Sequence, residues 1–309
     1  MHRLSIAFGV AVLLCGVGVA TSGAQGQGNQ GQGGPPPVAE PPMSGIHWAR
    51  GAARPSGGGS PLLVYNGGPI MSTGAYVEPI FWGSQWSNSA FAGDKITGIQ
   101  SFYSGMGGSA YDATNSEYTQ TGGAHVGMNV TLGPSHVDLS PSAKNGSRTS
   151  PILAEACSRA TNLMTDGYYP VYIDQPRGHA GYCAWHSAGT CSNGVTIQFA
   201  FFSNLDGDPG CDPQDTSGVH SPGLAALANV SGHELSEALT DPHLNAWFDA
   251  SGAENSDKCA WSFGTPLLTF SNGSQWKIQG NWSNAAFTAG TGYPNRSSQN
   301  GCLDGGNFK

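Results

Sequence analysis

The stretch Leu224–Thr240, LAALANVSGHELSEALT, constrains this chain most. It has no proline within it, it is rich in Ala and Leu, and Pro242 stops it soon after its end. The spacing predicts a helix on which His233 and Glu237, four residues apart, share one face, with Asp241 another four along at the helix end. Leu235, Ala238 and Leu239 fall on the other faces and are free to pack.

Gly232-His233-Glu234-Leu235-Ser236-Glu237 is one letter from H-E-x-x-H, in which two histidines hold zinc and the intervening Glu is the general base. Glu in place of the second His keeps a zinc-competent oxygen. Glu254, 21 residues beyond His233, is the expected third ligand, and Asp257 its neighbour in the surrounding shell. That arrangement resembles the thermolysin-like metallopeptidases, where a downstream carboxylate completes the site. His186 and His243 are competing third ligands, and Asp241 a further one. With His233, Glu237 and Glu254 on zinc, Glu234 would take a proton from water as it attacks a carbonyl. Asp241, Glu254 and Asp257 alone would suit calcium, a hard cation. The bland alternative is an ordinary His–Glu helix pair worth a few tenths of a kcal/mol.

The expected compartment is extracellular. Arg3, the apolar run Leu4–Ala20 and the small residues Ser22-Gly23-Ala24 predict a secretory signal peptide over residues 1–24. Six cysteines follow it, so three disulfides are expected. Cys183 with Cys191, and Cys259 with Cys302, are the expected pairs. Residues 25–60, rich in Gly, Gln and Pro, read as a disordered spacer, with Ile46-His47-Trp48 as an apolar exception that docks on the body. Net charge is −8 with only 12 Lys and Arg, which argues against nucleic-acid binding and against attraction to an anionic membrane. The expected partner is an extracellular substrate, a peptide before a carbohydrate. Trp82, Trp86, Trp247, Trp261, Trp276 and Trp282 are the candidates for sugar stacking.

Residues 61–309 alternate strand and helix patterns. Strands are expected at 62–65, 75–82, 124–132, 168–173 and 195–202, and helices at 94–103, 150–164 and 224–240. The fold class is therefore α/β or α+β: one zincin-like domain with a mixed sheet, a central HExxE helix, a loop-rich C-terminal part and disulfide bracing.

Several motifs resemble the phosphate-induced protein 1/EXORDIUM-like family of secreted proteins. They are Leu63-Val64-Tyr65-Asn66-Gly67-Gly68-Pro69, Ile80-Phe81-Trp82-Gly83, Ile99-Gln100-Ser101-Phe102 and Gly181-Tyr182-Cys183-Ala184-Trp185-His186-Ser187. The most specific are the GHELSE hexapeptide, Asp241-Pro242 and Asn245-Ala246-Trp247-Phe248. The resemblance spans about Leu62 to Cys302 and implies export to the cell wall or extracellular space. It attaches no reaction. Plant relatives tend to carry Asn at the position of Asp241, which favours His233, Glu234, Glu237 and Glu254 as the working residues.

Overall fold

The runs GYYPVYIDQP and TIQFAFFSN are apolar on both of their faces, and they lie side by side inside an eight-stranded mixed sheet. The computed structural model describes residues 40–52 and 60–306. The expected signal peptide and most of the expected spacer lie outside them. β1 (Ser44–Trp48) begins the sheet, while β2 (Val64–Tyr65) pairs elsewhere, with β10 (Trp247–Phe248). Next come β3 (Ala75–Val77), β4 (Ile80–Trp82), β5 (Val130–Leu132), β6 (His136–Asp138), β7 (Gly167–Pro176), β8 (Tyr182–Thr190) and β9 (Thr196–Asn204). The sheet runs β1-β8-β9-β7, after which the first half of β7 pairs with β3 and the second half with β4. β5 and β6 complete those two branches. β8 is antiparallel to both of its neighbours, and the other pairs are parallel.

Side chains alternate across the pleat, and this sorts the core into two layers. Phe199 and Phe201 of β9 join Tyr169, Val171 and Trp185 beneath helix α3 (Ser150–Arg159), with Ile152 and Ala156. Ala200 and Phe202 face the other way, with Tyr168 and Tyr172, toward α2 (Lys95–Met106) and α4 (Pro222–Thr240). Each such fully buried aromatic stabilises the fold by about 1.5–3 kcal/mol relative to exposure. The only other α-helices among the described residues are three short ones, α1 (Ser89–Ala92), α5 (Asn255–Lys258) and α6 (Asn284–Ala289). The C-terminal part adds β11 (Leu268–Thr269) paired with β12 (Gln275–Trp276), and a small sheet of β13 (Asn281–Trp282), β14 (Tyr293–Pro294) and β15 (Asn300–Leu303).

Helix α4 begins where Ser221 Oγ accepts the Leu224 N–H at 3.2 Å, while Asp94 accepts from the Ser221 N–H and hydroxyl. Every residue from Gly223 to Thr240 is buried. Its Ala, Ser and Gly positions make that possible, because small side chains let neighbours approach on all sides.

Five expectations need correction. The strand at 75–82 breaks at Glu78-Pro79: Pro79 has no N–H to give, and the buried Glu78 carboxylate instead accepts from the Thr161 and Asn162 N–H groups and pairs with His136. The strand at 124–132 contracts to β5, and the helix at 150–164 ends at Arg159, where Ala160 turns extended. The spacer does not run unbroken to residue 60, since β1 is paired with β8. Lastly, Cys183 pairs with Cys211 and Cys191 with Cys157, not Cys183 with Cys191. The residues between Cys183 and Cys191 lie in strand β8 rather than a loop, so the two Cα atoms stand about 26 Å apart, too far to bridge. Cys259–Cys302 forms as expected. Among the described residues no helix is long and apolar enough to cross a membrane.

Candidate metal centre

Strand parity delivers the first site residue. Ala184 and His186 of β8 project toward α4, whereas Trp185 between them enters the α3 layer. The fully buried His186 puts Nε2 3.7 Å from Glu237 Oε2 and 3.4 Å from Glu254 Oε1. Glu237 comes from the polar stripe of α4. Glu254 caps α5, where its side chain and that of Asp257 form a capping box. One donor atom from each of His186, Glu237 and Glu254 lies within 4.8 Å of the others.

His233 makes a second set with Glu237 and Asp257. Its Nε2 is 3.1 Å from Glu237 Oε1 and 3.8 Å from Asp257 Oδ1, and the Asp257 N–H donates to the same Glu237 oxygen at 2.9 Å. The sequence reading joined His233, Glu237 and Glu254. The structure groups Glu254 with His186 and Asp257 with His233, with Glu237 common to both sets.

Gln279 separates the two histidines chemically. Its Oε1 accepts the Trp261 N–H at 3.1 Å, and its Nε2 donates to the Ser256 carbonyl at 2.9 Å, which fixes the amide orientation. The remaining Nε2 hydrogen points at His233 Nδ1, 2.9 Å away. Hydrogen positions are assigned from this network: Nδ1 must accept, so the neutral ring carries its proton on Nε2, the nitrogen that faces Glu237 Oε1. A metal on His233 Nε2 would require the opposite tautomer. His186 is under no such constraint, since neither of its ring nitrogens has a hydrogen bond.

The electrostatics favour a cation. Glu237 Oε2, Glu254 Oε2 and both Glu234 oxygens are buried without a hydrogen bond. Burial, then the Asp257 and Glu254 charges, push the Glu234 and Glu237 carboxyls far above the usual range. Burial, with Glu254, raises Asp241 to about 7. Burial pulls His186 down, but Glu254, Asp241 and Asp257 more than reverse it. Buried carboxylates whose charge only histidines offset are costly, and orphaned oxygens around one open imidazole nitrogen fit a divalent ion.

The other candidates lie elsewhere. Asp241 is buried, but its Oδ1 is taken by the Asn245 and Ala246 N–H groups at 2.6 Å each, so it shapes the turn after α4. His243 is exposed on that turn beyond Pro242 and joins neither set. Trp86, Trp261, Trp276 and Trp282 are buried in the core rather than arrayed for sugar stacking. Sequence reasoning missed Gln279, Ser44 and Gly45. It singled out Ile46-His47-Trp48 for docking, without placing His47 against the site. His47 Nε2 reaches Gln279 Oε1 at 2.9 Å, and its ring lies 4.3 Å from that of His233.

Comparison with protein-family models, with curated proteins and with solved structures gives no match.

Proposed function

We propose that this protein is a secreted, metal-dependent hydrolase of zincin type acting on peptides, and that His186, Glu237 and Glu254 hold the ion. The observation that carries the reading is the convergence of an unconstrained buried imidazole with orphaned carboxylate oxygens. Zinc suits the set better than calcium, because an imidazole nitrogen is a poor partner for a hard cation. A divalent ion there would supply Lewis acidity and lower the pKa of water. The chain's own residues do the rest. Glu234, next to His233 on α4, is the buried carboxyl poised to take and return a proton. His233, its Nδ1 held by Gln279, sets Nε2 3.1 Å from Glu237 Oε1 and so keeps an imidazole against that carboxyl. Three disulfides support an oxidising compartment. Kinship with the phosphate-induced protein 1/EXORDIUM-like family is proposed from the motifs quoted above.

A second reading follows from one observation: His186, Glu237 and Glu254 are all at most 1% exposed, as in closed structural metal sites. The protein would then be a non-catalytic extracellular or wall-associated one. Elemental analysis tests the shared premise. A stoichiometric divalent ion is expected in the isolated protein and is lost in His186→Ala. Absence of the ion, or its retention in that variant, refutes the site. Glu234→Gln separates the readings: the hydrolase loses turnover of denatured casein while keeping its ion, whereas the structural protein has no turnover to lose.

A further inference from the structure

Strand β1 is the terminal strand of the sheet, and it lies directly over the candidate metal centre. It pairs antiparallel with β8, Ser44 opposite His186 and His47 opposite Ala184, with a register shift between them. One irregularity falls at Gly45 and Ile46 and a second between His47 and Trp48, and Gly45 takes φ +49°, a conformation that side-chain-bearing residues adopt only at a cost. A Cβ on Gly45 would stand 2.1 Å from Glu237 Oε2 and 2.1 Å from His186 Cδ2. The backbone of Gly45 therefore lies against two of the three proposed ligands. On either side of it the strand is held by polar contacts: Ser44 Oγ donates to Glu254 Oε1 at 2.8 Å, Ser187 Oγ donates to the Pro42 carbonyl, and the Ala49 N–H donates to the Gly181 carbonyl. The His47 side chain fills a closed socket made by Gln279, His233 and Trp261.

β8 does not depend on β1 for its anchorage. Cys183, near one end of β8, is tied to Cys211, and Cys191, just past the other, to Cys157 of α3. β1 carries no disulfide. A cleft of about 400 Å³ runs beside it, with Ser44, Gly45 and Asp257 in its wall.

We infer that β1 occupies a groove built for an extended polypeptide, and that the substrates of this site are extended peptide segments that pair with β8 in its place, with glycine at the position of Gly45. Addition of a strand to a sheet edge supplies affinity through the main chain, and sockets for alternate side chains supply selectivity. Here the sockets are the one for His47 and the site beneath Gly45 that admits no side chain. The word substrate rests on the hydrolase reading; the groove does not.

The test uses the full chain with residues 53–59, which lie outside the described residues, replaced by the recognition sequence of a specific endoprotease. After cleavage, a fluorescent peptide of residues 40–52 is added in excess and followed by anisotropy, with and without a chelator. The wild-type peptide is expected to bind and to displace the native segment. A Gly45→Val peptide is expected to bind at least tenfold more weakly, and a scrambled peptide not at all. Equal binding of the valine peptide overturns the proposal. So does failure of the wild-type peptide to bind while near-ultraviolet circular dichroism shows the body folded, or unfolding of the body once the native segment leaves. The nicked protein freed of β1 is expected to hydrolyse denatured casein at least tenfold faster than the uncut protein, and the 40–52 peptide to inhibit. If peptide binding holds and no form hydrolyses casein, the hydrolase reading fails and the groove stands.

Discussion

Asp112→Asn tests the electrostatic reasoning at a buried carboxyl outside the candidate centre. Asp112 is 1% exposed; its Oδ2 accepts the Gly108 N–H at 3.3 Å, and its Oδ1 has no hydrogen bond. Burial pushes its pKa from the usual 3.8 up to about 7, against the opposing pull of Gly108 and Asn115. The folded state thus binds the proton more tightly than the unfolded chain. Stability from this group is fully present below pH 4 and is lost as pH rises toward 7. The interval from 3.8 to about 7 corresponds to about 4 kcal/mol at 1.36 kcal/mol per pH unit. Asparagine keeps the shape and never charges, so its own hydrogen-bonding cost is the same at every pH. At about 2–4 °C per kcal/mol for a domain of this size, the variant's Tm advantage over wild type should grow by roughly 10 °C between pH 4 and pH 8. Scanning calorimetry of both proteins at the two pH values measures it, and other titrating groups cancel in the difference. An advantage that does not change with pH would refute the argument.

Three further outcomes are expected. Peptide mapping without reduction should recover Cys157–Cys191 and Cys183–Cys211 cross-links, and replacing Cys157 and Cys191 together by Ser should cost about 4 kcal/mol in denaturant unfolding, from closure of a 34-residue loop. Ser221→Ala should cost about 1–2 kcal/mol, read as a lower urea midpoint, because it removes the α4 cap and a partner of Asp94. A chelator should lower the Tm of the wild-type protein, since an ion bound to the folded state alone stabilises it by mass action, and should leave His186→Ala unmoved.

The parts of this fold that the sequence announced are those governed by local rules. An Ala/Leu run closed by Pro242 reads as a helix from its composition alone, and VTIQFAFF cannot face water on either side. What stayed hidden depended on pairing across distance. YCAWHSAGT carries Gly, Ser and Cys where a strand signal would need β-branched residues, so nothing in its composition announces β8. Had the strand been recognised, the shared parity of Ala184 and His186 would have aimed His186 at α4. Glu237 and Glu254 were visible as acids at suggestive spacing, but the choice between His186 and His233 rests on Gln279, whose amide orientation is set by Trp261 and Ser256 from other parts of the chain. Gly45 gave no signal, because a glycine in a glycine-rich stretch looks like filler until the residues beneath it are known.

Helix α4 has no solvent face along its length. Its amides therefore have no shallow route to exchange, and local fraying cannot carry Glu234 or Glu237 away from their neighbours. Protection measured there should report the opening of the whole body. Any alteration of that helix is transmitted to both the sheet and the C-terminal segments, so the tunable part of the centre is the chain laid across it.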